Sequence, residues 1–584
     1  MDLFGVVSQV GAGAAPGPPE TAPAFGNRWL RAELVGEGGR GRRFERGISQ
    51  YPSIGDVAHV VTESDLAAIY APGDRRTYVS IGRVASAESI PAYLDLNRLL
   101  TRHSAVVGST GAGKSTTVAS LLHSLANPSI FSSTRIVLLD LHGEYSKAFG
   151  KSARVFRINA VEARGERPLH VPFWALTSDE LMSVTTGVLS GGAHAHVFEE
   201  ITAMKRSSLP GGKRLSLPAQ DVTPDTPLPF CIHKLWFDLH CLQYATHIEQ
   251  AGKPQSPETW ALEKHPDTGA PVEEGNALLV RRPKFRKHKD EKNDPEKIRK
   301  SSHENLMRSQ TDALEGKLRD PRLSFLFRPG PWQTKEDGST EKDLDALLQE
   351  WIGKDKAITV LDLSGIPPTV VDDLVGAVLR ILYDAMFWGR AIPDGARSRP
   401  MLIVLEEAHT YLSAQSKSRA AAAARRIAKE GRKCGVGLML VSQRPSEIDP
   451  TILAQCGTLV AMRLTNETDR SQIRSCASDN LEGLFSMLPI LRTGEALVVG
   501  EAVGLPVRAL IEPPPVGLRP DSDDPKVVVP LGPDGKPVRP GGWTEPVSRE
   551  DYPLLVKCWR TQDALAIKDP EENQIETGKS PMKK

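Results

Sequence analysis

The feature that constrains this chain most is a glycine-rich segment, Gly108 to Ser115, between an apolar run and a helical pattern. It reads G-x-x-x-x-G-K-S, the pattern of a Walker A phosphate-binding loop. Ala105 to Val107 predicts a buried strand before it, and Thr116 to Leu125 predicts a helix after it. Strand, loop and helix in this order present backbone N–H groups and the positive end of a helix to phosphates. This placement disfavours the alternative of a chance glycine turn, and the sequence predicts a nucleotide-binding α/β domain.

The loop residues have distinct expected roles. Lys114 is expected to reach the β- and γ-phosphates, and the Ser115 hydroxyl to hold Mg²⁺. The predicted ATP-binding residues of the loop are Gly108, Gly111, Ala112, Gly113, Lys114, Ser115 and Thr116.

Composition excludes several classes of protein. The chain has 584 residues, of which 40% are hydrophobic and 25% charged, so two to four globular domains are expected. A net charge of +1 does not indicate a polyanion partner for the chain as a whole. The six cysteines are scattered, which is typical of a reducing compartment rather than a disulfide scaffold. No secretory signal or long apolar run is present, so a cytoplasmic protein without a membrane span is expected.

Two further predicted strands end in acidic residues. Met401 to Leu405 is followed by Glu406 and Glu407, a Walker B pattern, although aspartate is commoner at the first acidic position. Glu406 is expected to bind Mg²⁺ through water, and Glu407 to polarise the attacking water. A strand ending at Asp140 is followed by Glu144. These are possible active-site acids at the carboxyl end of a strand, but a simple strand-ending turn fits equally well.

A polar residue also ends the next predicted strand, Val436 to Ser442. Gln443 follows it directly, and a helix rich in alanine and arginine precedes it. If this strand neighbours the phosphate loop, Gln443 can sense the γ-phosphate, and we expect that role for it.

The remaining segments differ in pattern. Short apolar runs, such as Val57 to Thr62, alternate with turn residues between residues 29 and 92 and predict a small β-barrel or sheet. Residues 174–350 lose this alternation and predict a mainly helical insertion with polar linkers. The basic run at residues 281–300 fits either a nucleic-acid contact or, with more support, a solvated insert. A cluster of cysteines and histidines between Cys231 and Cys241 matches no common zinc spacing.

Taken in order, the motifs GSTGAGKS, LDLHGEY, LEEAH, EGRKCG, VSQRPS and GEALVVGEA resemble those of the HerA group of hexameric DNA translocases, bacterial members included. These proteins are relatives of FtsK-type motors. The resemblance implies an α/β fold with a RecA-like P-loop ATPase core at residues 96–175 and 350–515. It also implies an N-terminal β-barrel at 1–95, a mainly helical insertion at 176–349, and a C-terminal extension at 516–584 that reaches a neighbouring subunit.

The resemblance assigns further roles to single residues. Glu407 matches the catalytic acid and Gln443 the sensor. Arg432, in EGRKCG, matches an arginine finger supplied to the neighbouring subunit, and Arg102 an arginine that contacts phosphate within its own subunit.

The family also implies partners: ATP, Mg²⁺, double-stranded DNA, five further copies in a homo-hexamer, and an effector encoded nearby, such as a nuclease or a sirtuin-like enzyme. Such systems act in DNA processing or antiviral defence. Possible DNA contacts are Lys147, Lys151, Lys417 and Arg419. The alternative is an ATP-dependent oligomeric scaffold that activates its effector without translocation, and a metabolic kinase fits less well. The effector, the direction of movement, the subunit count and the role of residues 200–340 stay open.

Overall fold

The structure is a computed structural model that describes residues 2–12, 28–39, 42–70, 74–187, 189, 191–208, 217–250, 253–287, 297–304, 306–393, 395, 397–414, 418–476, 482–522, 526–532, 538, 542–544 and 552–561. The chain divides into two compact units. The first is built from Met1–Arg167, Ile352–Gly365 and Leu382–Lys584, and the second from Pro168–Trp351 and Ile366–Ile381.

The strands of the described residues are β1 (Asp2–Ala12), β2 (Arg28–Gly39), β3 (Arg42–Arg46), β4 (Tyr78–Val84), β5 (Ala87–Asp95), β6 (Ser104–Val107), β7 (Ile136–Asp140), β8 (Ala153–Arg157), β9 (Glu166–Pro168), β10 (Thr246–Ile248), β11 (Ile298–Lys300), β12 (Ile358–Asp362), β13 (Met401–Leu405), β14 (Val436–Ser442), β15 (Thr458–Ala461), β16 (Glu495–Gly500) and β17 (Val507–Ile511).

The α-helices are α1 (Glu63–Tyr70), α2 (Leu96–Thr101), α3 (Lys114–Leu125), α4 (Ser178–Val184), α5 (Gly191–Ser207), α6 (Ile232–Tyr244), α7 (Arg308–Arg319), α8 (Ser324–Phe327), α9 (Leu344–Ile352), α10 (Pro368–Trp388), α11 (Arg419–Glu430), α12 (Pro450–Leu453), α13 (Glu467–Cys476), α14 (Glu482–Phe485) and α15 (Tyr552–Thr561). None of these helices combines the length and the apolar character that a membrane span requires.

One mixed sheet of twelve strands organises the first unit, in the order β5-β4-β17-β16-β15-β6-β14-β13-β7-β12-β8-β9. From β15 to β8 the neighbouring strands pair in parallel. Strands β6, β7, β12, β13 and β14 are buried along their whole length, because helices cover a parallel sheet on both faces. The strand that leads into the phosphate loop lies between β14 and β15, so the ligand crevice is expected at its carboxyl end. The predicted RecA-like α/β class is confirmed.

The N-terminal region differs from the expected barrel. β4 and β5 pair antiparallel with each other, and β4 pairs with β17 of the large sheet. Gly82 permits this pairing, because a Cβ there would lie 2.0 Å from the Leu510 carbonyl oxygen. The strands β1, β2 and β3 form a separate antiparallel sheet, and the run from Val57 to Thr62 forms no strand. The structure therefore places the end of residues 1–95 in the ATPase sheet rather than in a separate barrel.

The second unit contains residues 176–349, for which a mainly helical insertion is predicted. It holds the helices α4 to α8 and the short antiparallel pair of β10 and β11. Its core is rich in fully buried aromatic side chains, among them Trp174, Trp236 and Trp332. Lys205 is also buried there, and its Nζ donates to the carbonyls of Pro224 and Thr226 at 2.6 and 2.7 Å. In the described part of the chain, no three acidic, histidine or cysteine side chains are arranged to hold a metal ion.

Candidate active site

The phosphate loop joins β6 to α3 through a backbone that only glycine adopts easily. Gly111 and Gly113 have φ angles of 73° and 101°, in the left-handed region. Gly113 caps α3, and the first backbone bond of this helix runs from the Thr117 N–H to the Gly113 carbonyl at 2.9 Å. The earlier N–H groups of the helix have no acceptor one turn back, so they are free to bind phosphate oxygens.

Lys114 supplies the positive charge of this loop. Its side chain is buried, with 8% of the residue exposed. In the described residues no carboxylate lies within 4.0 Å of its Nζ, but its charge is close enough to lower the pKa of Glu406. A buried ammonium without a paired anion is suited to bind the anionic tail of a nucleotide.

Glu406 follows β13 and is 2% exposed. Burial raises its pKa well above the usual value, and the nearby charges of Glu407, Asp140 and Glu144 raise it further. Its Oε2 atom has no hydrogen-bond partner. A nearby cation stabilises a buried carboxylate as an anion. Glu406 therefore fits a Mg²⁺ ion, which it would hold together with the Ser115 hydroxyl.

Glu407 has an unusual backbone. Its φ is +48°, a left-handed conformation that is uncommon for a residue with a side chain. Its side chain is 12% exposed, and its Oε2 lies 3.2 Å from His409 Nδ1. That same nitrogen is 3.2 Å from the Ser442 hydroxyl at the end of β14. Burial lowers the pKa of His409, and the nearby Glu407 carboxylate opposes this shift.

The two acids after β7 separate into different roles. Asp140 accepts backbone N–H groups of Gly143, Glu144 and Tyr145 at 2.9, 3.2 and 2.8 Å, so its carboxylate organises the strand-ending turn. Burial raises the pKa of Asp140 to about 7, against these hydrogen bonds and with the help of Asp362. Glu144 instead has a buried Oε2 without a partner, and it is the acid of this turn whose carboxylate stays available.

Gln443 contacts the phosphate loop directly. The Thr110 hydroxyl donates to its Oε1 at 2.6 Å, which leaves the amide N–H₂ group of Gln443 as the donor for a ligand. Sequence reasoning missed Thr110, because the loop pattern leaves this position unspecified. The sequence offers one indication of its role: a threonine hydroxyl in this loop can contact a residue that follows the neighbouring strand β14.

We expect Thr110→Val to lower the kcat for ATP hydrolysis by about tenfold, the worth of one lost hydrogen bond that orients Gln443. KM should change little, since Lys114 and the loop backbone stay in place. Thr110→Ser retains the hydroxyl and is the matched control. A double variant with Gln443→Ala should lose no more than Gln443→Ala alone, and fully additive losses would contradict the coupling.

The two arginines expected at the site lie away from the loop of their own chain. Arg432 is exposed in a short 3₁₀ segment, Gly431–Cys434, that precedes β14, whereas Gln443 follows β14. Seven strand residues separate the two, about 23 Å. Arg102 precedes β6, and its Nη1 lies 3.3 Å from Glu501 Oε1. The structure does not bring Arg102 to the phosphate loop of its own subunit, which corrects the expected same-subunit contact.

The residues predicted to contact DNA differ in exposure. Lys147 and Lys151 are exposed, on either side of the turn that leads into β8. Arg419 begins α11 and is partly buried, and Lys417 lies outside the described residues.

A phosphate loop, a buried acid pair and a polar residue on the strand between them define a P-loop ATPase. Comparison with known proteins identifies the family of this ATPase. The sequence model "Helicase HerA, central domain" matches residues 79–382, just over half of the chain. The chain belongs to the HerA helicase family.

The chain is similar to several described proteins over most of its length. The chain is 27% identical over 462 residues to the DNA double-strand break repair helicase HerA of Sulfurisphaera tokodaii, covering 79% of this chain and 74% of that protein. It is 26% identical over 455 residues to a probable helicase of Methanocaldococcus jannaschii, covering 77% and 73%. Among solved structures, VirB4 of Thermoanaerobacter pseudethanolicus has 14% identity and a TM-score of 0.45, covering 76% of this chain and 98% of that one.

Proposed function

We propose that this chain is an ATP-driven double-stranded DNA translocase of the HerA type. It works as a ring of six subunits in the cytoplasm, with an effector encoded nearby, such as a nuclease or a sirtuin-like enzyme, in DNA processing or antiviral defence. Membership of the HerA family supports the activity. The curated relatives from Sulfurisphaera tokodaii and other archaea carry the description of a DNA double-strand break repair helicase. The six cysteines are few and scattered along the chain, which supports a reducing compartment.

The observation that carries the ring is the separation of the catalytic groups within one sheet. Glu406 and Glu407 follow the carboxyl end of β13, whereas Arg432 precedes the amino end of β14. Because these two strands are parallel neighbours, the acids lie at the carboxyl ends of the strands and Arg432 lies at their amino ends. One chain therefore cannot assemble its own complete site. A closed ring supplies each subunit with one neighbour, and each neighbour with one arginine.

The residues then divide the chemistry as follows. Lys114 and the N–H groups of the loop bind the phosphates, and Gln443, oriented by Thr110, donates to the γ-phosphate. Ser115 and Glu406 would hold Mg²⁺, whose charge offsets that of the phosphate oxygens. Glu407 accepts the proton of the attacking water. Arg432 of the neighbouring subunit binds the charge that develops on the transferred phosphoryl group.

Double-stranded DNA should accelerate ATP hydrolysis, since a translocase couples the two. The half-maximal DNA concentration should rise at least about tenfold between 50 and 200 mM salt, because Lys and Arg contacts to phosphates release counterions. A steady-state ATPase assay over DNA and salt concentrations measures this, with Lys114→Ala as the inactive control. A response that is independent of salt, or no response to DNA, would reject a channel that tracks the DNA backbone.

A roadblock assay separates the proposal from its alternative. A translocase should displace a protein bound tightly to the DNA when ATP is present. If the assembly activates its effector but leaves the roadblock in place, the ATP-dependent scaffold is the better description.

A further inference from the structure

Arg463, unlike Arg102 and Arg432, lies beside the phosphate loop of its own subunit. It follows β15, which pairs in parallel with β6 so that Ala461 is opposite Val107. The chain continues alongside the loop: the Met462 N–H donates to the Val107 carbonyl and the Ser109 N–H to the Arg463 carbonyl, both at 2.8 Å. The backbone of Arg463 is therefore fixed against the start of the phosphate loop.

The side chain of Arg463 is only weakly committed. Its Nη2 lies 3.4 Å from the Gly111 carbonyl oxygen, beyond the usual range of an N–H···O bond. The Thr493 hydroxyl donates to the same oxygen at 3.2 Å, so this carbonyl has another partner. In the described part of the chain no carboxylate lies within 4.0 Å of the Arg463 guanidinium. Most of its five N–H donors are thus available to a ligand.

The position of Arg463 in the sheet indicates which part of a nucleotide it can reach. Glu407 and Gln443 follow β13 and β14, on one side of β6, whereas Arg463 follows β15 on the other side. A γ-phosphate that faces Glu407 and Gln443 directs the α-phosphate and the nucleoside toward β15. We propose that Arg463 binds the α-phosphate of the nucleotide in its own subunit, the role that Arg102 is too distant to fill. This inference rests on the proposed roles of Glu407 and Gln443.

Nucleotide affinity and the chemical step respond differently to this contact. Arg463→Ala should weaken the binding of ADP with Mg²⁺ by about 10–100-fold, the range for one lost charge-assisted hydrogen bond. The single-turnover rate of hydrolysis at saturating ATP should stay within about threefold, since the groups around the γ-phosphate are unchanged. Arg463→Lys keeps the charge and should recover part of the ADP affinity. Calorimetry with ADP and a quenched-flow assay with ATP measure the two quantities.

Thr493→Val distinguishes nucleotide binding from mere support of the loop. This variant removes the hydroxyl that donates to the Gly111 carbonyl but leaves Arg463 in place, so ADP affinity should stay within about threefold. If Arg463→Ala and Thr493→Val weaken ADP binding equally, Arg463 only supports the loop and the inference is wrong. An unchanged ADP affinity in Arg463→Ala also overturns it. If Arg463→Ala lowers the melting temperature of the protein, Arg463→Gln replaces it as the variant whose ADP affinity is measured.

The test is independent of the translocation proposal. ADP affinity is measured without DNA, so a failure of DNA to stimulate hydrolysis leaves the Arg463 result intact. Normal hydrolysis by Glu407→Gln, in contrast, would remove the basis for the nucleotide orientation, and the affinity of Arg463→Ala for ADP would then decide the contact on its own.

Discussion

Substitution of Arg432 by alanine is expected to lower ATP turnover by about 10³–10⁵-fold, the worth of an arginine that stabilises phosphoryl-transfer charge. ATP affinity and the size of the oligomer should not change. The reason is positional: Arg432 is exposed, has no acidic partner among the described residues, and lies a full strand length from the loop of its own chain. A steady-state ATPase assay, nucleotide titration and native mass spectrometry measure the three properties.

Two glycines determine the backbone path around Arg432. Gly431 is buried, and a Cβ there would lie 2.6 Å from the Val436 carbonyl oxygen. Gly435, with φ of 69°, turns the chain into β14. The adjacent Lys433 is also exposed, so Lys433→Ala is a matched control that removes a neighbouring charge and should retain turnover.

Mixed assemblies test whether the arginine acts on the neighbour. Arg432→Ala and Glu407→Gln subunits should together recover part of the activity, since some interfaces then pair an intact acid with an intact arginine. If subunits are shown to exchange and the mixture stays inactive, either the arginine acts within its own chain or the ring tolerates no defective subunit. A single-subunit species with full DNA-stimulated activity would reject the ring.

Glu407→Gln is expected to bind ATP normally and to hydrolyse it at least about a hundredfold more slowly, the usual cost of losing a general base. The amide keeps the shape of the side chain and its contact with His409 but cannot accept the proton of the attacking water. Single-turnover hydrolysis and ATP titration measure the two effects.

Glu406→Gln is the matched variant at the adjacent acid. It should mainly raise the Mg²⁺ concentration needed for hydrolysis, because Glu406 is the more buried of the two carboxylates. If Glu406→Gln instead binds ATP tightly and does not hydrolyse it, the two roles are reversed.

Local patterns predicted the parallel centre of the sheet well. The predicted strands at 401–405 and 436–442 match β13 and β14, because continuous apolar runs between polar boundaries define buried strands. Polar residues directly after parallel strands lie at the end of the sheet where ligands bind, which is why the sequence predicts site roles for Glu406, Glu407 and Gln443.

Long-range pairing explains what the sequence did not reveal. β4 and β5 have the alternation of any antiparallel strand. Only the pairing of β4 with β17, more than 400 residues along the chain, assigns this pair of strands to the large sheet. The role of Arg102 was predicted from its motif alone. Because Arg102 precedes β6, it lies at the amino end of this strand, whereas the phosphate loop follows the carboxyl end. Thr110 and Arg463 act through contacts between separate loops, which no local pattern encodes.

The left-handed backbone of Glu407 places two selective pressures in conflict. A residue with a side chain held in this region costs about 1–3 kcal/mol, and glycine would relieve most of that cost. Glycine would also remove the carboxylate. Stability alone therefore favours a different residue here from the one that hydrolysis needs, and a lineage that lost the requirement for ATP turnover would be expected to drift toward glycine or asparagine at this position.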